Sequence, residues 1–555
     1  MKIRKKISYL LLALISISIA AMYFGANFFI KQKLEKKLGE LINTNNNPYY
    51  EYHLDDFHVK LLPNSVRLSG ISVRPTEYAL SSVKNMDNEL RLVGDFHVEE
   101  ILLEGFQIDH FLSSGKIILD DFKVTNPSFV IHHNIKKNNK DTSTVLVNTL
   151  TNRFISARLG NLSIDNANLK IKEINSVGAD VNLKAIDIHL TKSYVDTLTI
   201  KQFFPFQFDN IELNSAGLDI DLSEFYELQS SAIAFDLQSN TFAIQNFQLI
   251  PKYSHKEFEK ISEFNVSEYA FDSEQVSING FSFEKFRAEG KLKVDKIKLS
   301  NNKLELYNNK NKKMPTAKEK FLWATLLRKI PLAFTLDTLI LAHSRIDIHE
   351  KSALTKELSH LFFDDLNAQI TGISTDSSVV HQQQYMMVKV NTRFLGEYYA
   401  ELNLKIDLTS KQDNYWVNGK MGKMNARAFN QVLKPLFNAK VASGNIKKSS
   451  FNYFANSYKS KGKIEIEYED LKLEIHSNVK HKKHFFSSLL ANSVVKTHNL
   501  KHHRGYKQGE IASLRNKNKS FFNVLWKSLQ SGIIDILIPK KILKEIKRQQ
   551  SSVKK

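Results

Sequence analysis

The chain has 555 residues, with 78 lysines and arginines against 58 aspartates and glutamates, for a formal net charge of +20. It contains no cysteine, which excludes disulfides, thiolate metal sites and a cysteine nucleophile. The 37 phenylalanines and 19 tyrosines, against only 10 prolines, argue against disorder and for strands.

Residues 1–6, MKIRKK, are basic, and residues 7–30 form an apolar run in which only Asn27 is strongly polar. These 24 residues are long enough to cross a bilayer, so a transmembrane signal anchor is expected. Lys2, Arg4, Lys5 and Lys6 would hold the start in the cytoplasm, while Lys31, Lys33, Lys36 and Lys37 pull the other way. A cleaved signal peptide ending near Ser18–Ala20 is the rival reading, although the apolar run continues past it. Residues 31–48 read as a juxtamembrane helix and a polar linker. The bulk of the chain would then lie outside the cytoplasm, where its positive charge suits anionic lipid headgroups and no nucleic-acid partner is expected.

Over residues 49–382 one pattern recurs: apolar, two residues, apolar, one, apolar, four, apolar, one, apolar. It starts at Leu119, Leu159, Phe208, Val294 and Leu336, with partial copies from Leu54, Val98 and Ile244. Each copy reads as a short strand, a polar turn and a second short strand. Repeated hairpins enlarge one sheet, which favours an elongated conduit or scaffold over a compact enzyme. One apolar face would be formed by Phe122, Val124, Leu162, Ile164, Ile211, Leu213, Ile297, Leu299, Leu339, Leu341, Ile346 and Ile348. Thr338, Ile340, Arg345, Asp347 and His349 would point the other way, with Ile340 breaking the alternation. Short helices are expected over Thr144–Ser156, over KEKFLWATLLRKI before Pro331, and over Leu354–Phe363; Lys252–Asn265 reads as a charged connector.

Strands lengthen over residues 383–476, interrupted by a short amphipathic helix in ARAFNQVLKPLF before Pro435. Residues 477–519 read as a basic linker, and 520–555 as an amphipathic helix with a basic tail. That helix starts at Ser520 and carries a stripe of Phe521, Phe522, Leu525, Leu529 and Ile533. The fold class expected is therefore mainly β: a transmembrane helix, then a twisted antiparallel sheet of repeated hairpins with short helical insertions.

Residues 415–540 carry further motifs: Gly419 in a strand, a short helix with Asn430 and Pro435, a strand start at Ser443–Gly444, and a closing segment with Gly462, Tyr468, Asp470 and Leu471. With the single N-terminal span and the repeat, these make the chain resemble the AsmA-like family of membrane-anchored periplasmic proteins, related to bridge-like lipid-transfer proteins. The resemblance implies a long sheet curled into an open apolar groove. It also implies inner-membrane anchorage, phospholipid acyl chains as cargo, and a part in transport between inner and outer membrane or in outer-membrane homeostasis. An envelope assembly scaffold that binds outer-membrane proteins is the alternative.

No phosphate-binding glycine loop, HExxH or GxSxG motif occurs. The histidine pairs His132–His133, His481/His484 and His502–His503 fall short of a metal site's three or four ligands. Asp55–Asp56, Asp120–Asp121 and Asp364–Asp365 sit at strand entries and read as turn polarity more than as a glycosidase pair. No catalytic, metal or cofactor site is expected.

Overall fold

The computed structural model describes residues 48–61, 64–85, 90, 92–107, 110, 114, 116–134, 156–174, 180–196, 198–199, 207–313, 319–475 and 495–538. The expected anchor and the juxtamembrane segment up to residue 47, residues 144–155 of the helix expected over Thr144–Ser156 and the basic tail beyond residue 538 lie outside them. Among the described residues no helix is long and apolar enough to cross a membrane. The chain is mainly β, with 22 strands in a mixed sheet. It divides into two compact units, Met1–Lys252 with Gln275–Lys293, and Tyr253–Glu274 with Val294–Lys555.

In the first unit β1 (Tyr50–Leu61) and β2 (Asn64–Pro75) form a hairpin, and β3 (Leu92–Glu104) pairs back on β2. Between them α1 (Glu77–Lys84) is capped by Thr76, which accepts from the Ala79 N–H at 3.2 Å, and buries Ala79 and Val83 against Val93. β4 (Lys116–Thr125) and β5 (Ser128–His133) pair with opposite halves of β3, so they are one strand line broken at Asn126–Pro127. Both run parallel to β6 (Ser156–Glu173). The antiparallel sheet expected from the sequence is corrected here to a mixed one. Apolar alternation specifies a face, not a direction, and the connection from 134 to 155 is long enough for the crossover that parallel strands require. β7 (Asp180–Asp196) and β8 (Asn210–Asp221) continue antiparallel. β9 (Tyr226–Ser230) and β10 (Ala232–Asp236) form a second broken line between β8 and β11 (Thr241–Pro251). Next in the chain come α2 (His255–Ile261), in the second unit, β12 (Glu268–Asn279), divided between the units at Gln275, α3 (Phe283–Glu289), in the first, and β13 (Leu292–Asn309), which from Val294 belongs to the second. The expected charged connector thus holds a helix, started by Glu257, which accepts from the Ser254 N–H at 3.0 Å.

Hairpins do build the sheet, but between successive long strands; a single copy of the repeat is one strand. The copies from Leu159, Val294 and Leu336 lie inside β6, β13 and β14 (Phe334–Lys351). Where a turn was expected, one residue takes left-handed backbone: Asn126 at φ 51°, Asn166 at 55°, Asn301 at 54° and His343 at 49°. The pairing register slips beside Asn166 and His343, which marks a β-bulge. The bulge explains the spacing. The two apolar pairs of a copy are separated by an odd step, which in a regular strand would put them on opposite faces. The extra residue returns the second pair to the face of the first. Neighbouring bulges align, since Asn166 Nδ2 donates to Asn126 Oδ1 at 2.7 Å and the Asn166 N–H donates to Asp187 Oδ1 at 2.8 Å. Asn166→Ile is expected to cost about 1–2 kcal/mol, because a β-branched residue resists this backbone. Asn166→Gly should stay within about 0.5 kcal/mol of the parent. Urea midpoints of the two variants test this, and equal losses would reject the bulge as the determinant.

In the second unit α4 (Trp323–Arg328) appears before Pro331 as expected. β14, β15 (Leu358–Ser374), β16 (Tyr385–Phe394), β17 (Tyr398–Asp407) and β18 (Tyr415–Met421) make an antiparallel meander, with α5 (Ser377–Gln382) between β15 and β16. The expected boundary at 382/383 falls inside this meander, whereas the units divide near Lys252 and Lys293. β19 (Met424–Asn425) and α6 (Asn430–Phe437) lead to β20 (Ala439–Ala455), β21 (Lys459–Ile475), β22 (Gly509–Leu514) and α7 (Phe521–Leu537). β20 pairs with β18, β19 and β21, and β22 with β21. Three expectations are corrected. The last residues of LTKELSHLFF open β15, because Leu361 and Phe363 sit opposite Ile348 and Ile346. Pro435 lies inside α6 rather than after it. The basic linker contains β22, whose Gly509-Glu510-Ile511 alternation is hidden among lysines and arginines.

Candidate functional site

Strand register lines up the apolar positions into rows that cross the strands. In the first unit one row runs Phe57, Leu68, Ile101, Val124, Ile164, Ile188, Leu213, Phe235, Phe242. Beside it runs Val66, Leu103, Phe122, Leu162, Leu190, Ile211. Past the bulges Val73, Phe96, Phe129, Leu169, Leu183 and Leu218 make a third. The opposite face is polar: Arg67, Leu102, Lys123, Ser163, His189, Glu212 and Asp236 align in the alternate register. There Lys123 pairs with Asp165 at 2.9 Å, and that hydrogen bond raises the lysine's pKa.

Burial changes along the first row. Leu68, Ile101, Val124 and Ile164 are 5, 1, 2 and 3% exposed, whereas Ile188, Leu213, Phe235 and Phe242 are half-buried. Among the described residues, none of the apolar side chains of β8–β11 is fully buried. The same apolar face is therefore closed core at one end of the unit and only partly covered at the other. Phe122, Val124 and Ile164, expected to line an open face, belong to the closed core, where protein side chains already fill the space beside them. Leu162, Ile211 and Leu213 are half-buried, as are Ile297, Leu299, Leu339, Leu341, Ile346 and Ile348.

Sequence reasoning missed the aromatic cluster at the partly covered end. Phe281, Phe283 and Phe286, on and just before α3, meet each other, and Phe281 reaches Phe235 at 6.3 Å. Phe208 packs on Phe283 at 5.0 Å. The signal available was the density of phenylalanine in 203–286, which alone does not say that the rings meet.

The second unit repeats the pattern. Leu339, Ile370, Val388, Leu404, Val417, Tyr453, Gly462 and Ile511 align across eight strands. The next polar row is Ile340, Gln369, Lys389, Asn403, Asn418, Asn452, Lys463 and Glu510, so Ile340 is its apolar exception. Leu339 and Ile370 are half-buried, but Val417, Tyr453 and Ile511 are sealed. The cover is helical: α7 packs on β21 and β22, and Leu322 and Ala324 at the start of α4 join the same core. The expected stripe on α7 is corrected. Its sealed side is Phe521, Val524, Ser528, Gly532 and Ile536, while Phe522 is 61% exposed. Small residues let the helix sit close to the strands, and apolar periodicity does not detect them.

The motif residues have structural work. A Cβ at Gly419 would overlap the Phe451 ring, and one at Gly462 the main chain of Tyr453. Ser443 donates to the Asp470 carbonyl at 2.7 Å beside the bulge at Asp470 (φ 53°), and Leu471 covers Gly444. Tyr468 is buried and donates to the Lys496 carbonyl at 3.1 Å. Asn430 bonds both main-chain groups of Val441, at 2.7 and 3.0 Å, and the Pro435 carbonyl accepts from Thr355 at 2.6 Å.

Among the polar pairs, His133 is buried against Glu173 at 2.5 Å, while burial lowers the pKa of His132. His502 and His503 are exposed, and His481 and His484 lie outside the described residues. Asp55 and Asp56 bond His53 and His58 on their own strand, and Asp121 accepts from Asn161 at 2.8 Å. Asp347, expected to point into water, is only 4% exposed. No family model and no curated protein matches the sequence.

Proposed function

We propose that this is a membrane-anchored cell-envelope protein that holds phospholipid acyl chains on an apolar β-groove and takes part in lipid transport between inner and outer membrane, or in outer-membrane homeostasis. One observation carries the reading: a cross-strand apolar row leaves the closed core at β6 and continues, half-buried, through β7–β11. Contiguous apolar surface left in reach of water is normally buried against a partner or used. Each methylene withdrawn from water onto it gains about 0.8 kcal/mol, and successive positions along the row are nearly equivalent. An acyl chain can therefore bind firmly and still slide. The net charge of +20 favours anionic headgroups, and the role asks for no catalytic group. Anchorage by residues 7–30 rests on the sequence.

Photoreactive phenylalanine analogues at Leu213 and Phe235, in the full chain within membranes, are expected to label phospholipid acyl chains. The same analogue at Glu212 or His189, on the polar row, should not. Equal labelling on both faces, or none, would defeat the groove. Protein adducts without lipid would favour the scaffold.

A further inference from the structure

We infer that Asp347, His349 and His360 form a binding site for a divalent transition-metal ion of the zinc type, on the polar face of the second unit. Asp347 and His349 are two apart on β14 and so share a face, and His360 on β15 stands directly opposite His349. One ligand atom from each lies within 4.8 Å of the other two. Nδ1 of His349 is buried and has no hydrogen-bond partner, a cost that a bound ion would remove.

The surroundings are those of a held ligand set. Arg345 donates to both oxygens of Asp347, at 2.8 and 2.9 Å, and fixes the carboxylate's orientation. Asp364, 3.6 Å from Arg345, offsets part of that positive charge. His360 Nε2 lies 2.7 Å from Asp347 Oδ1. Glu305 stands 3.7 Å from His349 Nε2, placed to orient the ring from its other nitrogen. The two imidazoles stack at 4.4 Å and 12°, and tilting both onto one ion uses their χ2 torsions, which are soft. Two imidazoles with a carboxylate suit Zn²⁺ and not the oxygen-seeking Ca²⁺ or Mg²⁺. Such an ion would pin β14 to β15 on the face opposite Leu339 and Leu341.

The test is zinc titration of the metal-stripped full chain by calorimetry, with thermal unfolding as a second readout. About one Zn²⁺ should bind tightly and raise the unfolding temperature, while Ca²⁺ should do neither. His349→Gln and His360→Gln are each expected to weaken that binding at least about tenfold. His503→Gln, on an exposed turn, should not. Circular dichroism of the metal-free variants separates lost ligands from lost fold. Absence of stoichiometric binding, or binding unchanged in the folded His349 and His360 variants, overturns the site.

Discussion

Val124→Asp is expected to unfold the first unit, whereas Leu213→Asp, in the same cross-strand row, should leave it folded and abolish lipid binding. Val124 is 2% exposed and sits between Ile101 and Ile164, which are equally sealed. A carboxylate there has no partner among its apolar neighbours and cannot reach water. Burying an unpaired polar or charged group costs several kcal/mol, on the order of the whole stability of a domain. Leu213 lies three strands further along and is half-buried, so its replacement can hydrate. The stability loss there should be about 1 kcal/mol, from apolar contact alone. For an acyl chain crossing the row the same charge is a barrier, because methylenes must pass a hydrated carboxylate. Urea unfolding followed by circular dichroism, with mass spectrometry of co-purifying phospholipid, reads both effects. A parental lipid load on Leu213→Asp would reject the groove, and a stable Val124→Asp would mean the row is open throughout.

The contrast between those two positions shows what the sequence did and did not carry. Both residues occupy equivalent places in the repeat, and the sequence correctly marks both as apolar. Whether a strand's apolar side is covered depends on distant segments, so Val124 and Leu213 cannot be told apart locally. The same limit explains the turn read at Asn166 and His343. Asparagine and histidine between apolar pairs suit a turn or a left-handed bulge equally, and only pairing with β7 and β15 decides. The parallel pairing of β4 and β5 with β6 was invisible because periodicity carries no strand direction. The histidine–aspartate cluster was missed for a related reason. His360 is eleven residues from His349 in the chain and becomes its neighbour only through the β14–β15 register.

Gly509→Val should be strongly disruptive in the second unit, although strand propensity alone would make it favourable. Gly509 begins β22, and a Cβ there would overlap the Gly532 carbonyl oxygen of α7. The obstacle is helix backbone, which cannot swing aside as a side chain can. Ser528 adds a second close approach, donating to Ser460 Oγ at 2.7 Å across the same contact. To admit the valine, α7 must lift. Ile534, Ile536, Leu537 and Ile538, buried members of the second unit's core, would then lose burial, at roughly 1.5–3 kcal/mol each. Even partial lifting approaches the 5–15 kcal/mol that typically holds a domain together. The variant should bind more of an apolar dye and be cleaved first within residues 520–538, with a urea midpoint well below that of the parent. Gly532→Ala separates the steric cause from strand propensity. Its added methyl meets the Ile464 side chain rather than main chain, and the clash is partly offset by about 1 kcal/mol of helix propensity. It should therefore be the milder of the two. If Gly509→Val were as stable as the parent, α7 would not be held against the strands, and the sealed end of the second unit's apolar row would be as open as β8–β11.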